Sequence, residues 1–151
     1  MAKPRDEPDD DTGAAFQESM VHLVRSLGLH KPDETPCGQP VSVAEAHALL
    51  EIAREPGISQ NGLAGRLKLE KSTVSRVAAL LERRGWIRRE RDRVDARFVR
   101  LHLTQRGIKA NAEIARSRRE KFERIFTAIP AARRQSVIDS LSLLLEATRD
   151  A

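Results

Sequence analysis

The sequence predicts a mainly α-helical chain with one small β-hairpin in its second half, and three observations carry that prediction. Apolar residues recur three and four apart in six separate stretches, the spacing that lines one face of an α-helix. After Gly85 the period changes, and Trp86 to Arg91 and Phe98 to Leu103 read as two strands around a turn at Asp92 to Ala96. Charge is also uneven. From Ser59 to Lys109 there are 14 Lys and Arg against 5 Asp and Glu, a net of +9 in a chain whose total is +5. A basic middle in a mildly acidic chain is suited to a polyphosphate, because neutralising phosphates releases counterions; taken alone, it equally describes a solvated basic face.

The elements can be justified in order. Residues 1–12 hold Asp6, Glu7, Asp9, Asp10 and Asp11 with Pro4 and Pro8, which predicts a flexible acidic tail. Residues 13–40 form an N-terminal helix and linker. Phe16, Met20, Leu23 and Leu27 make one stripe of a helix from about Ala14 to Leu27, stopped by Gly28. Pro32, Pro36, Pro40 and Gly38 prevent the next stretch from being helical throughout. Ser42 with Glu45 three residues on is a capping box, opening a helix that carries Ala46, Leu49, Leu50 and Ala53 and ends before Pro56. Ser59 caps a short helix through Leu67, and Lys68-Leu69-Glu70 turns into another helix with Glu70 as its N-cap. In that helix Val74, Val77, Ala78 and Leu81 face inward, leaving Ser72, Ser75, Arg76, Ala79 and Arg83 outward. Gly85 ends it and the hairpin follows. Thr104 caps a long helix to about Thr127 with Ile108, Ala112, Ala115, Arg119, Phe122, Phe126 and Ile129 as its stripe, and Pro130 at N1 starts a last helix with Val137, Ile138, Leu141, Leu144 and Leu145 on one face.

Three short helices and a hairpin over residues 41–107 constitute a winged helix-turn-helix, and residues 108–151 supply C-terminal helices. The flanking helices have apolar faces to bury, either on each other or, more simply, in a dimer interface. An outward face of short polar and cationic side chains suits the major groove, where Arg reads guanine and phosphate and Ser or Thr fits any base. On this reading Lys71, Ser72, Thr73, Ser75, Arg76 and Arg83 face bases and phosphates from the second helix of the motif. Ser59, Gln60 and Asn61, at the start of the first, meet the phosphate backbone. The hairpin carries Arg88, Arg89, Arg91, Arg93 and Arg97, dense enough to lie along phosphates or enter a minor groove.

The runs Ser72-Thr73-Val74-Ser75-Arg76, Leu80 through Ile87, Asp95-Ala96-Arg97 and Leu103-Thr104-Gln105-Arg106-Gly107 together resemble the MarR family of transcriptional regulators. The resemblance spans roughly Val41 to Gly107, and its most restrictive part is the D-x-R pair followed by L-T-x-x-G. It implies a homodimer whose terminal segments interlock, with the helix from Lys71 to Arg84 entering adjacent major grooves of a near-palindromic operator on double-stranded DNA. It further implies repression relieved by a small-molecule effector. By the same resemblance Arg97 reaches the minor groove and Asp95 holds its guanidinium, alongside Arg91 and Arg93. A pocket between the flanking helices and the winged domain would involve Met20, His22, Leu23, Leu27, His47 and Ile108, each of which also has a plain reading as core packing.

Other functions find little support. Cys37, the only cysteine, lies in the proline-rich linker of a chain without Tyr and reads as an incidental thiol; a redox-sensing regulator is the alternative. A metal-sensing regulator would have to draw on Glu18, His22, His30, Cys37 and His47, which lack any ligand spacing, so no metal and no cofactor are expected; His47 reads as a partly buried imidazole. No phosphate loop, G-x-S-x-G or paired-carboxylate constellation suggests an enzyme. No run approaches a membrane span or a signal peptide, which predicts a soluble cytoplasmic protein. The competing class is a winged-helix protein-interaction module, or an architectural nucleic-acid binder without sequence preference.

Overall fold

In a computed structural model that describes residues 10–149, the chain runs α1 (Asp10–Leu27), α2 (Val43–Arg54), β1 (Ile58–Ser59), α3 (Gln60–Leu67), α4 (Lys71–Arg83), β2 (Ile87–Arg91), β3 (Val99–Leu103), α5 (Gln105–Ala128) and α6 (Arg134–Ala147), with a 3-10 turn at Ala131–Arg133. This is the expected mainly α winged helix-turn-helix. Residues 1–9 of the expected tail lie outside the described residues; residues 10–12 form the first turn of α1, which starts four residues before Ala14.

The core lies where α2, α3 and α4 meet the sheet. Leu49, Ile52, Ile58, Leu63, Val74, Leu81 and Leu101 are fully buried there. Val74, Val77, Ala78 and Leu81 form the inner face of α4 as their spacing predicts, whereas on α2 Ala48 and Ile52 are buried in place of Leu50 and Ala53. The sheet is antiparallel in the order β1-β3-β2. β1 is a two-residue strand missed by the sequence reading; it sets Ile58 opposite Leu101 and so anchors the hairpin to the helical core.

Local chemistry fixes the helix ends. The capping box is complete, with Glu45 N–H donating to Ser42 Oγ (3.1 Å) and Ser42 N–H to Glu45 Oε2 (2.9 Å). Ser59 Oγ accepts from Gly62 N–H and Thr104 Oγ1 from Gly107 N–H. Thr104 also donates its hydroxyl to Gly85 O at 2.6 Å, tying α5 to the glycine that ends α4 with φ of 71°. Gly107 explains its own position in the motif: a Cβ there would lie 1.9 Å from Trp86 O, so only glycine lets α5 approach the start of β2. Two caps differ from expectation. Glu70 is the N-cap of α4 but its side chain makes no capping bond, and Pro130 precedes the 3-10 turn as its N-cap and does not open α6 at N1.

The flanking helices diverge most from a self-contained domain. Neither α1 nor α6 packs substantially on another described helix or strand, and no residue from 11 to 27 or in α6 is buried. On α5 only Gly107 and Ile114 are buried, while Ile108, Phe122 and Phe126 of the expected stripe are 41–49% exposed.

Candidate nucleic-acid interface

The outward face of α4 is open. Lys71, Ser72, Arg76 and Arg83 are exposed, and Thr73 and Ser75 are half-buried. Arg76 Nη2 reaches Thr73 Oγ1 at 3.4 Å, a weak bond that a competing acceptor replaces at little cost. Because Glu70 leaves the first turn uncapped, the amide groups at the start of α4 remain available beside Lys71, where the helix dipole favours an anion. Arg84 is withdrawn from this face. Its Nε donates to Glu45 Oε1 at 3.0 Å and its guanidinium lies 5.1 Å from the centre of the Trp86 ring, so the buried Glu45 joins the start of α2 to the end of α4.

α3 stands beside α4 across the turn at Lys68, whose left-handed backbone (φ 52°) allows the tight reversal. Ser59 spends its acceptor on the α3 cap, Gln60 is half-buried and Asn61 is exposed. Arg66 is engaged with Glu51 of α2 and with Glu55, the residue that caps its C-terminus, so it braces the two helices; its guanidinium holds the Glu51 carboxyl below its ordinary pKa.

At the hairpin turn the side chains are arranged by two aspartates. Arg97 donates Nε to Asp95 Oδ1 (3.0 Å) and Nη2 to Asp95 Oδ2 (2.8 Å), while the Arg97 amide donates to Asp95 Oδ1 (3.0 Å). This two-pronged contact lowers the Asp95 pKa and raises that of Arg97, yet the Arg97 side chain is 87% exposed. The cation is thus held in one orientation while facing solvent. Asp92, which the sequence reading placed only as the first turn residue, builds the turn. Its Oδ1 accepts from the amides of Val94 (2.8 Å) and Asp95 (3.0 Å) and its Oδ2 from Arg100 Nε (2.6 Å), and these donors, the amides first, hold its pKa at about 2. An Asp with amides two and three residues ahead is a turn signal that could have identified it. Arg91 and Arg93 are exposed, but Arg89 is not free: it lies 3.2 Å from Glu82 and donates to Ser75 O at 3.4 Å, so it ties the hairpin to α4. Cations from α4 and the hairpin are consequently held on one rigid frame.

The expected effector residues are not brought together. Met20, His22 and Leu23 sit on α1, with His22 exposed and 3.8 Å from Glu18, Leu27 at the end of α1 lines a cavity of about 350 Å³ beside Thr35, Pro36 and Cys37, and Ile108 lines a groove beside His102 and Asn111. His47 is exposed at its helix face and not partly buried as expected; it borders a cavity of about 100 Å³ together with Ile114 and Phe122, and of the six expected residues it is the only one there. Cys37 borders the same cavity, half-buried, 3.0 Å from Thr35 Oγ1. Among the described residues no three His, Cys, Asp or Glu side chains converge as a metal would require, and no helix is long and apolar enough to cross a membrane.

Residues 39–97 match the sequence profile of the MarR family, a stretch ending at Arg97. The chain is 27% identical over 140 residues, 91% of its own length and 94% of the relative's, to an uncharacterised helix-turn-helix transcriptional regulator of Mycobacterium leprae. Its fold is similar to that of the PcaV transcriptional regulator of Streptomyces coelicolor, solved with its natural ligand (TM-score 0.70, 20% identity, 95% and 99% of the two chains covered). It is similar also to FabT of Streptococcus pneumoniae, solved in complex with DNA (TM-score 0.71, 22% identity, 94% and 99% covered).

Proposed function

Because the chain carries a winged helix-turn-helix domain of the MarR family of transcriptional regulators, we propose that it is a sequence-specific regulator of transcription that binds a near-palindromic operator as a homodimer. The observation that carries this reading is the exposed Arg97 guanidinium, locked onto Asp95 at the tip of the wing. Held in advance, it loses little rotamer freedom when it enters a minor groove, a cost of about 0.5–1.5 kcal/mol for a free side chain. The outward residues Lys71, Ser72, Thr73, Ser75, Arg76 and Arg83 read the major groove, Arg91 and Arg93 follow the phosphates, and Ser59, Gln60 and Asn61 position the backbone. FabT, of similar fold, was solved on DNA.

Three features support the homodimer. Residues 13–40 and 108–151 include α1 and α6, which pack substantially on no other described helix or strand. Phe16, Leu23, Phe126, Ile138, Leu141 and Leu145 are 41–62% exposed upon them. The accessible surface is 11384 Å², against roughly 7,700 Å² expected of a globular monomer of this mass. Repression relieved by an effector is the simplest regulatory mode for this design, and PcaV, of similar fold, was solved with a ligand.

Selection of bound duplexes from random DNA tests the function. Enrichment of a two-fold symmetric site with half-sites about one helical turn apart is expected. Retention of DNA without sequence preference would replace this reading with the architectural one.

A further inference from the structure

Three consecutive residues, Arg84, Gly85 and Trp86, join the end of α4 to the start of β2, and segments from two other parts of the chain are bonded to them. Trp86 N–H returns to Leu81 O (3.0 Å) and closes α4, while Trp86 O accepts from Thr104 N–H (2.9 Å) at the head of α5. Thr104 Oγ1 donates to Gly85 O, and Gly107 lies against Trp86 O with no room for a Cβ. From α2 comes Glu45, the only charged residue buried among those described. Its two carboxylate oxygens are divided: Oε2 accepts from the Ser42 amide at the head of α2 (2.9 Å), and Oε1 from Arg84 Nε (3.0 Å). Arg84 in turn lies over the ring of Trp86, the chain's single tryptophan, at 5.1 Å. Both α2, which the linker enters at Ser42, and α5 are therefore tied to the three residues between α4 and the wing.

We propose that Glu45 is a positioning residue for operator recognition: through Arg84 and Trp86 it sets the angle at which α4 and the wing are presented together. The inference rests on the proposed operator binding and adds to it a residue too deeply buried to meet a base or a phosphate. Geometry gives the reason. α4 has 13 residues and is about 20 Å long at about 1.5 Å per residue, so a rotation of about 5° at its Arg84 end moves its Lys71 end by about 1.7 Å. A recognition contact has to be held within about 0.5 Å. The pair suits that task. Burial of Glu45 reduces the screening by salt that weakens surface pairs, and a planar guanidinium bonded to a carboxylate and stacked on an indole is held at two points. A buried ion pair adds little net stability over an apolar replacement, since desolvating both charges offsets their attraction; selecting one arrangement over near alternatives is its better-attested use. Glutamine at position 45 exposes the requirement, because it has one acceptor oxygen for two donors and gives up either the Ser42 amide or Arg84.

Fluorescence anisotropy on the full chain tests it, with the operator selected by the wild type and a scrambled duplex of equal length. The variants are Glu45→Gln, Arg84→Met and the two combined, each measured where circular dichroism shows it folded; the double variant leaves no unpaired buried charge and carries the test if Glu45→Gln does not fold. Each is expected to lose at least about tenfold in the ratio of operator to scrambled affinity, about one base contact, while scrambled affinity stays within about twofold and the salt slope is unchanged. The double variant should lose no more than the worse single one, because all three break one linkage, and Arg84→Lys, which keeps a cation for Glu45, should retain part of the ratio. A folded double variant with the wild-type ratio would overturn the proposal and leave the pair as a contact that only holds the fold. So would equal losses on both duplexes with a salt slope lower by about one, the mark of Arg84 meeting a phosphate itself. The wild type separates this from the proposed function: if it prefers its operator and the variants prefer it equally, only the positioning role is refuted, whereas a wild type without preference refutes both.

Discussion

Arg97 and Asp92 show how single side chains prepare the wing. Arg97→Ala is expected to cost about 1–3 kcal/mol of operator affinity and to lower the salt slope by about one. Asp95→Asn, which keeps the cation but weakens its hold, should cost less, about 0.5–1.5 kcal/mol, with the salt slope nearly unchanged. Fluorescence anisotropy at several salt concentrations distinguishes the two. Asp92 makes a different prediction, because its carboxylate is bonded to two amides and Arg100 in the folded chain. Its pKa falls from 3.8 to about 2 on folding, so the charged form's stabilisation is fully present above 3.8 and is lost as the pH falls towards 2. Urea unfolding of the wild type and Asp92→Asn should therefore differ most above about pH 4 and converge near pH 2. A constant difference across that range would mean that the carboxylate's charge is immaterial.

At the scale of elements, two glycines make opposite predictions. Gly107→Ala drives a methyl into Trp86 O, where backbone cannot yield, and should destabilise the chain by about 3 kcal/mol or more in thermal unfolding. Gly65→Ala, inside α3 with nothing near its missing Cβ, should stabilise it by about 0.5–1 kcal/mol. The same contrast explains what could be read beforehand. Ser42, Ser59, Thr104 and Gly85 act within four residues of themselves, so their caps and stops are written locally, as is the inner face of α4. The short β1, the Glu45–Arg84 pair 39 residues apart and the Arg89–Glu82 tie depend on how distant segments meet, which periodicity does not encode. The D-x-R pair was legible because both partners lie in one turn. Four of the six effector residues expected by resemblance, Met20, His22, Leu23 and Leu27, lie on α1, which packs substantially on no other described helix or strand; Leu27, at its end, borders a cavity with the linker and α5. The stripe of α5 was recognised as apolar, but which of its residues are buried depends on how α5 meets α2 and β3, and Ile108, Phe122 and Phe126 stay 41–49% exposed.

For the whole molecule, the proposed homodimer has a second copy cover the apolar faces that α1, α5 and α6 leave exposed among the described residues. Leu141→Glu with Leu145→Glu should convert a particle of twice 16.9 kDa into one of 16.9 kDa in analytical ultracentrifugation, and weaken operator binding by removing the second half-site contact. A dimer unaffected by these charges would place its interface elsewhere. In the proposed function α4 and the wing, on one frame, form a single DNA-reading surface, and the most direct measurement is titration of the selected operator with Arg76→Ala/Arg97→Ala at several salt concentrations. A loss of at least about a hundredfold in affinity, with a salt slope lower than that of the wild type and an unchanged melting temperature, is the result this account predicts. Wild-type affinity in the folded double variant would contradict it.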